Sequence, residues 1–191
     1  MPKHSDLMPE CAPTTMESIQ DLRARVLVRR VEPRDVERCA AIEAACFPPE
    51  EAASPERVAQ RAREFPDGFL VAELDGEVYG MVNGGASHAP DLADEDFKAL
   101  IGHAPGGANL VIFSVAVHPD LQGRGLSTPL MEAYLARADA AGRAATLLLC
   151  KAPLVPYYAR FGFIDRGHSS STHGGARWHE MARALGGGGA R

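Results

Sequence analysis

The residues best placed to do chemistry lie in Gln122-Gly123-Arg124-Gly125-Leu126-Ser127-Thr128, a glycine-rich turn between an apolar run and an amphipathic one. The leading N–H groups of a helix have no partner within it, and the helix dipole puts partial positive charge at that end. Glycines strip the turn of side chains, so a phosphate can come close to those N–H groups, and Arg124 adds a full charge beside them. A diphosphate is the ligand that suits such a turn. A plain strand-to-helix connection uses the same residue types, so the turn alone leaves both readings open. Other reactive side chains are dispersed. Cys11, Cys39, Cys46 and Cys150 form no CxxC pair, and His168, His173 and His179 lack a carboxylate or cysteine at fitting spacing, so no metal site is expected.

The elements that must position this turn can be read from periodicity. Leu110 to Val117 is apolar on both alternating faces apart from Ser114, as in the middle strand of a covered sheet. His118-Pro119-Asp120 ends it, and Leu130, Met131, Tyr134, Leu135 and Ala138 give the following run a helical stripe. Before it, Val26 to Val31 predicts a strand, Pro33 to Cys46 a helix ended by Phe47-Pro48-Pro49, and Ser54 to Phe65 a second helix with an N-cap serine. Phe69 to Leu74 and Val78 to Asn83 predict a hairpin turning at Asp75-Gly76. Gly84 to Gly107 reads as a long connection with a short helix over Asp94 to Ile101, a length typical of binding loops and lids. After the turn come a strand at Ala145 to Cys150, a short helix at Leu154 to Phe161, and strands at Phe163 to His168 and Trp178 to Leu185 around a hairpin tip at Ser169 to Gly175. The sum is a mixed α/β fold, a mostly antiparallel sheet of about seven strands with helices on both faces.

Length and composition agree with one domain. The chain has 191 residues, 46% hydrophobic, with a formal net charge of -5 and no basic cluster, which argues against a nucleic-acid partner. No apolar run reaches membrane-spanning length and no signal-peptide core opens the chain, so a cytoplasmic location and no membrane partner are expected. Residues 1–24 read as a disordered tail with one helical turn near Met16 to Leu22, residues 25–185 as the domain, and residues 186–191 as a disordered glycine-rich tail.

Gln122-x-x-Gly125-x-Ser127, preceded by Val117-His118-Pro119, resembles the Q/R-x-x-G-x-G/A signature of the GNAT superfamily of N-acetyltransferases, with serine in the sixth position where glycine or alanine is usual. Leu154-Val155-Pro156-Tyr157-Tyr158-Ala159-Arg160-Phe161-Gly162-Phe163 resembles a segment of the arylalkylamine (serotonin) N-acetyltransferases, and Phe47 to Ser54 resembles a block of their fungal and bacterial relatives. The three segments occur in the family's order.

The resemblance implies acetyl-CoA as donor and a small primary amine, such as an arylalkylamine, as acceptor, with a homodimer as one quaternary option. It implies that the backbones of Val115, Ala116 and Val117 pair with the pantetheine arm and that Gln122, Gly123, Arg124, Gly125, Leu126, Ser127 and Thr128 hold the pyrophosphate. Tyr158 matches the tyrosine beside the thioester sulfur, where a phenol can protonate the departing thiolate; as a plain packing aromatic it would need no such role. An ammonium ion is not a nucleophile, so a base must take its proton. The two histidines that serve serotonin-type enzymes are replaced by Val111 and Phe113. Glu50 is the expected substitute, with Glu51 and Glu43 behind it, against the alternative of a solvent-exposed glutamate at a helix start. Cys150 is expected to be buried rather than nucleophilic. Rival functions are an acyl-CoA-binding module of the same fold without catalysis, and an acetyltransferase for a polyamine, an amino acid or a protein amine. A dinucleotide-binding reading fails because Thr128 occupies the third glycine position and the motif lies deep in the chain.

Overall fold

A computed structural model describes residues 18–184; the expected tails at residues 1–17 and 186–191 lie outside the described residues. One sheet runs in the order β1-β2-β3-β4-β5-β7-β6: β1 is Val26–Arg30, β2 Phe69–Leu74, β3 Glu77–Ser87, β4 Asn109–Val117, β5 Ala145–Cys150, β6 Ile164–His168 and β7 His179–Ala184. β4 and β5 are parallel, and every other neighbouring pair is antiparallel. On one face lie α1 (Ile19–Ala24) and α4 (Ser127–Ala140), whose Leu22, Leu130, Met131 and Tyr134 share a core with Leu70, Val82 and Ile112. On the other face α2 (Val36–Cys46) and α3 (Pro55–Glu64) bury Cys39, Ile42 and Val58 against Phe69, Val71 and Met81. α5 (Val155–Ala159) follows β5. No helix among the described residues is long and apolar enough to cross a membrane.

Local chemistry accounts for these boundaries. The β2–β3 turn places Asp75 at φ 54° and Gly76 at φ 86°, the double positive φ of the tight hairpin that Asp-Gly favours. The Ser54 hydroxyl accepts from the Arg57 N–H at 3.3 Å at the start of α3, where Pro55 needs no N–H partner. The Tyr79 hydroxyl of β3 donates to the Leu126 carbonyl at 3.0 Å, which ties the start of α4 to the sheet from within the core.

Several expectations are corrected. The helical turn expected near Met16 to Leu22 is α1, but residues 18–24 are packed rather than a tail: the Ser18 side chain caps the helix in a capping box, and Leu22 is buried beneath it. β3 continues to Ser87, because Gly84, Gly85 and Ala86 pair with β4, so the following connection is shorter than predicted. Within it the predicted helix over 94–101 shrinks to one 3-10 turn, Phe97–Ala99, broken by Leu100 at φ 62°. The short helix predicted over 154–161 is present as the five residues of α5, with a 3-10 turn at Ala152–Leu154 ahead of it.

Beside the sheet edge, Arg29 of β1 donates to both Asp35 carboxylate oxygens at 2.7 and 2.9 Å and through Nε to Glu73 at 2.9 Å. Hydrogen bonds from Arg29 hold the Asp35 carboxyl below its usual range despite burial. A carboxyl depressed in this way stabilises the fold above its unfolded value, near about 4, and loses that contribution as pH falls through the folded value. Arg29→Met strands both carboxylates and is expected to cost roughly 3 kcal/mol at pH 7. In urea unfolding, the gap from the parent protein should narrow as the pH is taken below about 4.

Candidate active site

The sheet opens where its two parallel strands part. β4 and β5 pair only from Asn109↔Ala145 to Ile112↔Leu148; past that point β5 stays with β7, and β4 stays with β3. The cause is a bulge: Ile112 faces Gly84 and Ser114 faces Asn83, so Phe113 is an extra residue on β4. A bulge bends its strand and breaks the alternation of side chains. Phe113 and Ser114, consecutive in sequence, both line the same cavity as Val111.

Beyond the bulge, Phe113–Val117 has no strand partner on the β5 side. The His118 N–H donates to the Tyr79 carbonyl on β3 at 2.7 Å. Strand alternation therefore turns the peptide groups of Ala116 to β3 as well, and those of Val115 and Val117 into the opening. The Val117 carbonyl is occupied there by Gln122 Nε2 at 2.8 Å and Cys46 Sγ at 3.1 Å. Of the expected backbone contacts, Val115 and the Val117 N–H stand open, whereas Ala116 does not. The Gln122 side chain holds the end of β4, and its N–H donates to the Pro119 carbonyl at 3.2 Å.

The glycine turn has the geometry its residue types suggest. Gly123 and Gly125 lie at φ 73° and 69°, where a side chain would be strained. No side chain caps α4; the Thr128 N–H turns back to the Gly125 carbonyl at 3.3 Å and Pro129 has no N–H, so of the first three residues the Ser127 N–H has no side-chain substitute partner. Leu126 is buried in the core and can offer only backbone; Arg124 is exposed beside the turn, and Ser127 and Thr128 are half-buried. A residue that no motif singles out stands here as well. Arg23 of α1 donates from Nη2 to the Gly125 carbonyl at 3.0 Å and to Thr128 Oγ1 at 3.3 Å, bringing a second guanidinium to the turn.

The cavity in the opening has a volume of about 330 Å³. Tyr158 reaches it from α5. Burial pushes its phenol well up, so it stays protonated, and none of the described side chains or carbonyls takes its hydrogen bond. Glu50 is exposed and does not line the cavity, whereas Glu43 and Glu51 do. The reason is the turn after α2, where the Glu51 and Ala52 N–H groups both donate to the Pro48 carbonyl at 2.9 Å; adjacent residues of such a turn point in different directions. Glu51 is bonded to Lys151 at 2.6 Å at the rim. Glu43 is buried and accepts from Ser114 Oγ at 2.6 Å and from the Ala53 N–H at 3.0 Å.

Next to Glu43 lies Arg61 of α3, which sequence reasoning missed. It is buried, donates to Asn83 Oδ1 at 3.0 Å and to the Lys98 carbonyl from Nε at 3.2 Å and Nη2 at 3.0 Å, and sits 4.8 Å from the Phe113 ring centre. Burial brings its guanidinium down to about 10. The signal available in sequence was Ser114, a polar residue alone on an apolar strand; its partners lie in helices whose charges look like ordinary surface. The mouth is strapped by His173, whose ring bonds Glu95 at 3.0 Å and the Glu51 carbonyl at 3.2 Å. Among the described residues no group of three or more His, Cys, Asp or Glu is arranged to hold a metal ion.

A parallel pair splayed by a bulge, a helix start without a side-chain cap at the splay and a charged cavity beyond it form one continuous crevice. Residues 36–163 match the model of the Acetyltransferase (GNAT) family, and the chain belongs to that family. Among curated proteins it is similar to "Probable hydrolase YhcX" of Bacillus subtilis (strain 168), 25% identical over 144 residues, and to "Uncharacterized N-acetyltransferase YkwB" of the same organism, 27% identical over 115. These alignments cover 72% and 54% of this chain but only 28% and 51% of the relatives, so the chain spans part of their length. Among solved structures, the loading GNATL domain of CurA from Lyngbya majuscula superposes with TM-score 0.76 at 16% identity, covering 83% of this chain and 97% of that one. The GphF GNAT-like decarboxylase in complex with isobutyryl-CoA gives TM-score 0.75 at 19% identity, covering 84% and 100%. At these identities the likeness is one of fold.

Burial pushes the Cys150 thiol up to about 11 and the Cys39 thiol up to about 12, which leaves little thiolate at neutral pH. Brief iodoacetamide treatment of the native protein at pH 8 should leave both unmodified in peptide mass spectra, with alkylation only after denaturation.

Proposed function

We propose that the chain is an acetyl-CoA-dependent N-acetyltransferase acting on a small primary amine. The observation that carries this reading is the meeting of three features in one crevice: the open peptide groups of Val115 with the Val117 N–H, the start of α4 without a side-chain cap, and Tyr158 at the cavity. Family membership supports the reaction class, and the GphF GNAT-like decarboxylase, of the same fold, is in complex with an acyl-CoA, isobutyryl-CoA. Gly123 to Thr128 with Arg23 and Arg124 hold the diphosphate, and the β4 edge pairs with the pantetheine amides. Phe47, Phe97, Phe113 and Trp178 on the cavity wall support an acceptor with an aromatic side chain, as in an arylalkylamine.

The transfer is direct. Glu43, fixed by Ser114 and the Ala53 N–H, accepts one proton of the bound ammonium; the amine nitrogen bonds to the acetyl carbon and the carbon–sulfur bond breaks; Tyr158 gives its proton to the leaving sulfur, and the second proton shed by the acylated nitrogen restores the phenol. Glu43 thus takes the role expected of Glu50. A second reading, decarboxylation of an acyl-CoA, is favoured by one observation: arginines face the cavity that could hold a carboxyl group carried by the acyl chain. Malonyl-CoA consumed without any amine would support it.

An amine panel incubated with acetyl-CoA, with thiol detection, tests the main reading; it fails if no amine releases free CoA. Tyr158→Phe should lower kcat about 100-fold or more with little change in the KM for the amine. Glu43→Gln should lower kcat/KM and flatten its rise with pH, and a rise that survives intact would remove Glu43 as the base. Gly125→Ala, whose Cβ would lie 2.5 Å from Arg23 Nη2 at a strained φ, should raise the KM for acetyl-CoA and spare the amine KM.

A further inference from the structure

Resting on that reading, the charges of the cavity narrow the acceptor. Arg57 and Arg61 lie four residues apart, one turn of α3, and both line the cavity. Like charges at this spacing repel each other, and a buried cation is costly unless an anion accompanies it. Yet among the described residues neither arginine forms a salt bridge: the Arg61 donors go to an amide oxygen and a backbone carbonyl, both neutral. Glu43 of the neighbouring helix is in the converse position. It is buried, faces the same cavity, and its two oxygens accept from a hydroxyl and a backbone N–H, with no cation in contact. The protein thus brings charge of both signs to one cavity: the Glu43 charge acts on the Arg61 guanidinium against the effect of burial, but the two form no salt bridge, and among the described residues Arg57 has no bonded anion.

A ligand can complete both. A simple amine would neutralise Glu43 and leave the arginines without an anion; a donor carrying a carboxyl group on its acyl chain would do the reverse. We propose that the acceptor is a small amino-carboxylic acid, its ammonium on Glu43 and its carboxylate on Arg57, with Arg61 behind adding its field. Arg57 is the half-buried member of the pair, with no side-chain hydrogen bond of its own among the described residues, and so the one able to turn to a ligand. The rest of the molecule lies against Phe47, Phe97 and Trp178.

The test is a panel of L-amino acids, each set against the amine that lacks its carboxyl group: leucine against isoamylamine, phenylalanine against phenethylamine, and so on. Binding is followed by the fluorescence of Trp178, the single tryptophan of the chain, and turnover by CoA release from acetyl-CoA. At least one acid should bind about tenfold or more tighter than its amine, as expected for one charge-assisted contact, and Arg57→Gln should bring that ratio close to one. Arg57→Lys should retain part of the preference, because a point charge replaces the fork. The proposal is overturned if no acid outbinds its amine, or if Arg57→Gln weakens acid and amine equally. Acids that bind through Arg57 without CoA release would leave this pocket standing and remove the acetyl-transfer reading. Amines acetylated without preference for a carboxylate would do the opposite. Malonyl-CoA that loses carbon dioxide while no amino acid binds would put the carboxylate on the donor and defeat the proposal.

Discussion

The structure depends on one unmet pairing. Peptide groups in a sheet are obligatory hydrogen-bonding groups, and the strand that turns its amides toward an opening must find another partner for them. β4 is in that condition from Phe113 onward, because the bulge bends it from β5 while β3 still holds its other side. Everything assigned to the site follows from this separation. The crevice is the missing rung of a ladder; the cavity is the space the bend opens; α4 begins at its edge because the chain leaves β4 there. A flat, fully paired sheet of the same composition would have no place for a ligand.

The protein supports this gap with contacts that hold the ends of the strand. Gln122 and Cys46 both reach the Val117 carbonyl, the Tyr79 hydroxyl secures Leu126, and Arg61 stacks on Phe113 while bonding Asn83 on the neighbouring strand. These are polar contacts in buried or half-buried places, where each group left alone would cost free energy. They serve positioning. Together they fix the bend from both strand ends and from the α3 side, so that the opening does not depend on a bound ligand to hold it apart.

Much of the architecture is legible in the order of residues because it rests on short-range rules. Alternation, proline and glycine placement and an N-cap serine suffice to locate the β2–β3 hairpin, α3, β4, the turn and α4. The errors fall where short-range rules are weak. The Gly84-Gly85-Ala86 run reads as a loop, since glycine disfavours a strand by itself, but it lies in one because β4 supplies the cross-strand pairing. The helix predicted over 94–101 lacked a packed face of adequate length and reduces to one turn. α1 is legible only as a helical turn near Met16 to Leu22 within an expected tail, and burial of Leu22 by distant segments is what fixes it to the domain.

Sequence by itself determined the glycine turn and the strand before it, since a left-handed backbone and an apolar period are properties of neighbours along the chain, while Tyr158 stood out only through the family resemblance. Tertiary structure decided which carboxylate faces the cavity, that Arg23 comes to the turn, and that Arg57, Arg61, Glu43 and Ser114 form one charged site. Those residues come from α1, α2, α3 and β4, up to 105 positions apart along the chain in the case of Arg23 and Thr128. A charge on a helix is indistinguishable in sequence from a solvated one. Only folding removes the water that makes the difference.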